Sequence, residues 1–257
     1  MVTMTKNDDM VSEIGVDVTL QPVKTFFVCC GGTGNEVGVN VKAIMHQNDP
    51  VAFVGIDVMP SAPTVMKPVN AGSQAVSFQP GIEYIRIGVD MDLPRLRAEL
   101  RTHRQRRQHL AWLLDGLSTS ITAQSVEAGT KARRRLAAAA LEWSRTEVER
   151  GVERALRRLN DIRAKDRSGR VVENAPINVV VIASLAGGVG SATVFPMAGI
   201  VKSTMDRLGA AAHRSMFTLF AVGADAFNET QLRLANEFET LADIEAAQRK
   251  GVVLCDD

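Results

Sequence analysis

Short apolar runs alternate with longer stretches of helical spacing along most of the chain. Strands are predicted at 23–30, 51–58, 177–184, 217–223 and 251–255, with shorter ones at 75–78 and 84–88. Helices are predicted at 35–46, 95–117, 132–163, 195–208 and 230–250. The run INVVVIAS at 177–184 is apolar almost throughout, which is typical of a parallel strand covered on both faces. The alternation predicts an α/β fold with a doubly wound, mostly parallel sheet.

The middle of the chain departs from this alternation. Residues 92–126 predict a helical insertion within a single domain spanning 1–257. The basic helix 95–109 inside it offers a surface for an unknown protein partner, although such a run is more often the solvated side of a helix.

Composition narrows the class of protein. The formal net charge is +1, so no overall positive field favours DNA or an anionic membrane. The first residues lack the apolar segment of a signal peptide, and no apolar run reaches the length of a membrane span, so a cytoplasmic location is expected. The three cysteines and four histidines lack disulfide-framework or metal-ligand spacing.

The run GGTGNEVG at 31–38 directly follows a predicted strand and opens a helix. Free N–H groups and the positive end of a helix at this position favour a phosphate. The dinucleotide pattern GxGxxG nearly fits, but its third glycine would fall on Val37, and no GK[ST] follows for a Walker motif.

A second run, AGGVGSA at 186–192, has the same position between a buried strand and a helix. A dinucleotide dehydrogenase needs only one such loop, whereas a triphosphate held along the sheet edge can use several. Helix-on-strand packing would explain either glycine run alone, but it is a weaker explanation for both.

These two runs resemble the phosphate loops of the tubulin/FtsZ superfamily, including its bacterial tubulin-like branch. GGTGNEVG is similar to tubulin's GQCGNQIG, and AGGVGSA is similar to the signature GGGTGSG. The shared residues are Gly31, Gly34, Asn35, Gly38, Gly187, Gly188, Gly190 and Ser191. The resemblance implies that both loops, with Gly32, Thr33 and Val189, bind GTP or GDP. Val189 replaces a threonine that would face the terminal phosphate, so binding is implied more firmly than hydrolysis.

Further segments extend the resemblance. DVMP resembles tubulin's DLEP, which implies that Asp57 serves Mg²⁺ although Met59 replaces the glutamate. EAGTKARRR resembles a third phosphate loop, with Ala128, Gly129 and Thr130 as contacts. Near the end, the resemblance implies ribose or phosphate contacts and guanine contacts at Asp225, Glu229, Arg233, Asn236 and Asp257. Asp256 or Asp257 stands at this last position, and a carboxylate there suits guanine because it accepts from the ring N–H and the exocyclic amine together.

The resemblance implies a GTP-binding protein that self-associates head to tail into cytoskeletal filaments, with the nucleotide at the subunit interface. The second tubulin-type domain and the acidic loop that completes hydrolysis are expected to be absent from this chain, so GTPase activity and catalytic residues stay unassigned. The alternatives are a non-hydrolysing GTP-sensing scaffold and, more remotely, an NAD(P)-dependent oxidoreductase.

Overall fold

The computed structural model describes residues 23–46, 49–69, 72–102, 130, 133–165, 169–172, 175–209, 215–227 and 231–250. The predicted strand at 251–255 and most of the predicted insertion at 92–126 lie outside these residues. Within the described ranges, no helix has the length and apolar character needed to cross a bilayer.

The described elements alternate between strands and helices. The strands are β1 (Lys24–Cys30), β2 (Val51–Asp57), β3 (Thr64–Val69), β4 (Gly72–Ser77), β5 (Tyr84–Arg86), β6 (Ile177–Ser184) and β7 (Phe217–Val222). The helices are α1 (Gly31–Ile44), α2 (Leu93–Thr102), α3 (Arg134–Trp143), α4 (Arg145–Asp161), α5 (Gly188–Arg207) and α6 (Gln231–Lys250), with a 3₁₀ turn at Ala224–Ala226.

Five of the strands form a parallel sheet in the order β5-β2-β1-β6-β7. At the carboxyl end of β1, Cys30 lies beside Ile56 of β2 on one side and Ala183 of β6 on the other. β1 is therefore the central strand of the five.

Helices cover both faces of the central strands. Phe26 and Val28 of β1 belong to the core that includes α3, α4 and α5. Phe27 and Cys29 point to the opposite face, where they belong to the core that includes Val39 of α1. The alternation of side chains along a strand thus supplies two separate cores. The predicted doubly wound, mostly parallel α/β fold is confirmed.

Several elements differ from the sequence-based prediction. Helix α1 begins at Gly31 instead of residue 35, and β3 was not predicted. The helix predicted at 195–208 begins at Gly188, because the glycine loop itself forms the first turn. The single helix predicted at 132–163 is two helices, with a break at Ser144, whose buried hydroxyl accepts a hydrogen bond from the Gly88 N–H at 2.9 Å. The strand predicted at 75–78 is part of an antiparallel hairpin, β3–β4, which forms a separate sheet.

Candidate functional site

The candidate site lies at the carboxyl ends of β1 and β6. From β1 the chain crosses to β2 on one side, whereas β6 lies on the other side of β1. The helices that follow them, α1 and α5, pack on opposite faces of the sheet. Connections that diverge in this way leave a crevice outside the strand ends, where doubly wound proteins bind ligands.

The two glycine loops touch each other in this crevice. Gly31 has a φ of +76°, a conformation that side chains disfavour, and it turns the chain from β1 directly into α1. A Cβ atom on Gly31 would lie 3.0 Å from the Gly190 nitrogen and 3.2 Å from Cβ of Val189. The runs that are separate in the sequence therefore form one surface.

Other glycines of the two runs serve packing. A Cβ on Gly34 would overlap the carbonyl oxygen of Ile182, and a Cβ on Gly190 would overlap that of Ser184. In contrast, a Cβ on Gly32 or Gly187 would meet no protein atom closer than 3.6 Å. Packing therefore explains Gly34 and Gly190. Gly32 and Gly187 instead leave the backbone accessible beside the crevice.

The two helix starts have free N–H groups at this position. Neither α1 nor α5 has a side-chain cap at its N-terminus, and neither has an acidic residue in its first turn. The first N–H groups of a helix have no partner within it, and the positive end of the helix dipole lies there. Two uncapped N-termini at one place favour an anion.

Between the loops is a cavity of about 140 Å³, which we call the switch-point cavity. Its volume corresponds to a few water molecules, far below the usual range for a pocket that encloses a whole drug-sized ligand. Its lining of loop glycines at two helix N-termini suits phosphates. The lining residues are Cys30, Gly31, Gly32, Thr33, Asp57, Val58, Met59, Thr130, Ser184, Gly187, Gly188, Val189 and Gly190.

Asp57, the last residue of β2, is the acidic residue of this wall. It is only 4% exposed, and its Oδ1 accepts a hydrogen bond from the Val58 N–H at 2.7 Å. Burial raises the pKa of its carboxyl, while backbone hydrogen bonds from Val58 and Met59 oppose the shift. Within the described residues, no group of three His, Cys, Asp or Glu side chains is arranged to hold a metal ion.

Ser184 contributes an unsatisfied hydroxyl. It is the last residue of β6 and lines the cavity at 4% exposure, and its Oγ has no hydrogen-bond partner among the described residues. A buried hydroxyl without a partner costs free energy, so this atom is suited to a ligand or a bound water.

Several residues predicted from the resemblance lie behind the wall. The Asn35 amide donates to the Ile56 carbonyl at 3.1 Å, and the Ser191 hydroxyl donates to the carbonyls of Gly187 and Gly188 inside α5. The buried Asn236 donates from Nδ2 to the Ala186 carbonyl at 3.2 Å. These three side chains hold the loops in place in this structure, and their roles toward a nucleotide stay predictions.

The remaining predicted contacts are away from the cavity wall or outside the described residues. Arg233 lies over the Phe227 ring at 5.2 Å, and Asp225 is in the 3₁₀ turn. Ala128, Gly129, Glu229 and Asp257 lie outside the described residues, so their predicted roles are untested.

Sequence reasoning missed Cys30, Val58, Met59 and Ser184 as wall residues. A small residue that ends an apolar strand close to a glycine run was the available signal for Ser184. The same signal was available for Cys30, which directly precedes Gly31. Burial raises the pKa of its thiol to about 12, so the wall presents a neutral thiol there.

The basic helix is partly engaged within the protein. Arg95 of α2 pairs with Glu99 at 2.9 Å and lies 5.7 Å from the Trp143 ring. The rest of the predicted partner surface, residues 103–109, lies outside the described residues.

Comparison with known families agrees with this geometry. The profile of the family described as tubulin like matches residues 26–254, which include both glycine loops, most of β1 and the six other described strands. The chain belongs to the tubulin-like family. No curated protein sequence matches it.

Solved structures of similar fold cover nearly all of this tubulin-like chain at low identity. They include a TubZ protofilament from bacteriophage PhiKZ (14% identity, TM-score 0.38, 86% of this chain and 43% of that one). TubZ of Clostridium botulinum phage c-st has 13% identity and a TM-score of 0.41, covering 90% of this chain and 49% of that one. A GTPγS-bound protofilament of CetZ2 from Haloferax volcanii has 16% identity and a TM-score of 0.36, covering 90% and 60%. The tubulin-like chain thus spans about half the length of these proteins.

Replacing Asp57 by Asn should stabilise the nucleotide-free protein in a pH-dependent way. Burial raises the pKa of Asp57, so the folded protein favours the protonated carboxyl. The resulting contribution to stability is fully present below the unfolded-state pKa of about 4 and is lost as the pH rises through the folded-state pKa. Asparagine carries no charge and keeps an oxygen for the Val58 N–H. We expect a higher free energy of unfolding than wild type at about pH 8 and a smaller difference near pH 4, measured by urea unfolding. The same difference at both pH values would contradict this account of Asp57.

Proposed function

We propose that this tubulin-like chain binds GTP or GDP with the phosphates in the switch-point cavity. The observation that carries the proposal is the convergence of two uncapped helix N-termini, those of α1 and α5, on one cavity. Family membership supports a guanine nucleotide as the anion.

Each part of the wall has a chemical role in this proposal. The backbone N–H groups around Gly32 and at Gly188–Gly190 would donate to phosphate oxygens. The unsatisfied Ser184 hydroxyl and the hydroxyls of Thr33 and Thr130 would add side-chain donors. The apolar Val58 and Val189 line the same cavity and limit the access of water to it.

Asp57 favours a divalent cation at this site. It is the ionisable carboxyl group among the described wall residues, and no lysine or arginine is part of that wall. The nearby Arg86, its cross-strand neighbour in β5, donates from Nε to the Val58 carbonyl. A carboxylate next to a polyphosphate is repulsive unless a cation lies between them. Mg²⁺ commonly binds one or two carboxylates together with substrate phosphates, so the proposed ion is held by Asp57, phosphate oxygens and water.

Head-to-tail self-association is proposed with the nucleotide at the subunit interface, as the resemblance implies. Val189 favours a second candidate, a scaffold that binds GTP without hydrolysing it, because its side chain offers no hydroxyl to the terminal phosphate. Turnover measured at increasing protein concentration separates the two candidates. Turnover that rises cooperatively with assembly removes the scaffold, whereas binding without turnover removes the GTPase.

The direct test of binding is thermal unfolding with nucleotide. With GTP and Mg²⁺ at about 100 times the dissociation constant, a ligand adds about 2.7 kcal/mol of stability, which raises the melting temperature of a chain this size by about 5 to 10 °C. ATP should give a smaller shift and NADH none. Stabilisation by NADH without any by GTP would replace the proposal with the oxidoreductase alternative.

If Asp57 holds Mg²⁺, the effect of Asp57→Asn on GTP affinity should change direction when the metal is removed. With Mg²⁺ present, Asp57→Asn should weaken GTP binding about tenfold or more, because the ion loses its protein ligand. With EDTA present, the same variant should bind GTP at least as tightly as wild type, because a like charge has been removed. Isothermal titration calorimetry measures both affinities.

Asp206→Asn is the matched control for this experiment, because Asp206 pairs with Lys202 at the far end of α5 and is half-exposed. It should leave both affinities unchanged. An Asp57→Asn variant that loses affinity equally with and without Mg²⁺ would exclude the metal-ligand role.

A further inference from the structure

Helix α6 is attached to the second glycine loop mainly by polar contacts. Of residues 231–246, only Asn236 and Thr240 are buried, and Leu234, Phe238 and Leu241 are all more than 40% exposed. The Thr240 hydroxyl donates to the Asn236 carbonyl at 2.6 Å, and the Asn236 amide donates to the carbonyl of Ala186, the first residue of the loop. Apolar packing therefore contributes little to holding α6 in place.

Arg134 provides a second attachment at the other end of the same loop. Its Nε donates to the Ser191 carbonyl at 3.2 Å, and its terminal nitrogens pair with Glu239 of α6 at 3.2 Å and with Asp243 of α6. Asn236, Glu239, Thr240 and Asp243 follow one another at helical spacing and form one face of α6.

The location of Arg134 connects three parts of the site. It is the first residue of α3, four positions after Thr130 of the cavity wall, and its side chain is 15% exposed. A cation at a helix N-terminus is opposed by the helix dipole. The two carboxylates of α6 offset this cost, so α3 and α6 depend on each other electrostatically.

We propose that Arg134 is a positioning residue that couples occupation of the switch-point cavity to the ordering of α6. A phosphate bound by the amides of Gly188–Gly190 fixes the loop, and with it the carbonyls of Ala186 and Ser191. These carbonyls accept the hydrogen bonds of Asn236 and Arg134, so α6 is fixed as well. By thermodynamic reciprocity, a well-placed α6 strengthens nucleotide binding. This inference rests on the proposed function.

The test combines binding with hydrogen–deuterium exchange on the full chain, using GTPγS and Mg²⁺. In wild type, saturating nucleotide should slow amide exchange in both 187–191 and 231–246. Arg134→Met removes the charge and the donors while it keeps a long side chain. We expect it to weaken binding about 5- to 10-fold, the lower end of usual coupling energies. At saturating nucleotide it should keep the protection of 187–191 and lose that of 231–246.

Two further variants keep the test decisive. Arg157→Met removes an arginine that pairs with Glu153 on α4, and it should behave as wild type in both measurements. The double variant Glu239→Gln, Asp243→Asn should reproduce the loss of α6 protection, and it replaces Arg134→Met if that variant does not fold. If residues 231–246 stay protected in Arg134→Met or in the double variant, this inference is wrong, while the proposed nucleotide binding stands. Failure of the wild type to bind overturns the proposed function as well.

Discussion

The parallel pairing of β1 with β6 is the constraint on which the rest of the site depends. Because Cys30 lies beside Ala183, the loops that leave the two strands start next to each other. Because α1 and α5 then pack on opposite faces, the loops diverge and leave the cavity between them. Gly31 lies against Gly190 and Val189, so the space that a side chain at Gly31 would need is already occupied by the other loop. At Gly190 the corresponding space is occupied by Ser184 at the end of β6.

The electrostatics of the cavity follow from this arrangement. Two helix N-termini bring free N–H groups and partial positive charge, while Asp57 brings a buried carboxyl whose pKa is raised by burial. Neither feature alone specifies a nucleotide. Together they suit a polyanion with a divalent cation between its oxygens and Asp57, which is the arrangement proposed for this chain.

The fold class and the position of both glycine runs at strand-to-helix turns were predictable from sequence, because apolar strands and glycine-opened helices are local signals. The start of α5 was not, since Gly188–Gly190 have low helix propensity and form a turn only when packed against the end of β6. The position of Ser184 at the end of an apolar strand was a local signal, but the absence of a hydrogen-bond partner for its hydroxyl among the described residues was not predictable from sequence. The contacts of Asn236 and Arg134 join residues about 50 positions or more apart, and no local pattern encodes such pairs.

The central claim is that one ligand occupies both glycine loops at once. The most direct measurement is NMR of the chain labelled with ¹⁵N-glycine during titration with GTP and Mg²⁺. The amide signals of Gly32, Gly187 and Gly188 should shift together with a single dissociation constant, while those of Gly81 and Gly169, outside the site, stay fixed. Shifts confined to one loop, or shifts with different dissociation constants for the two loops, would contradict the account.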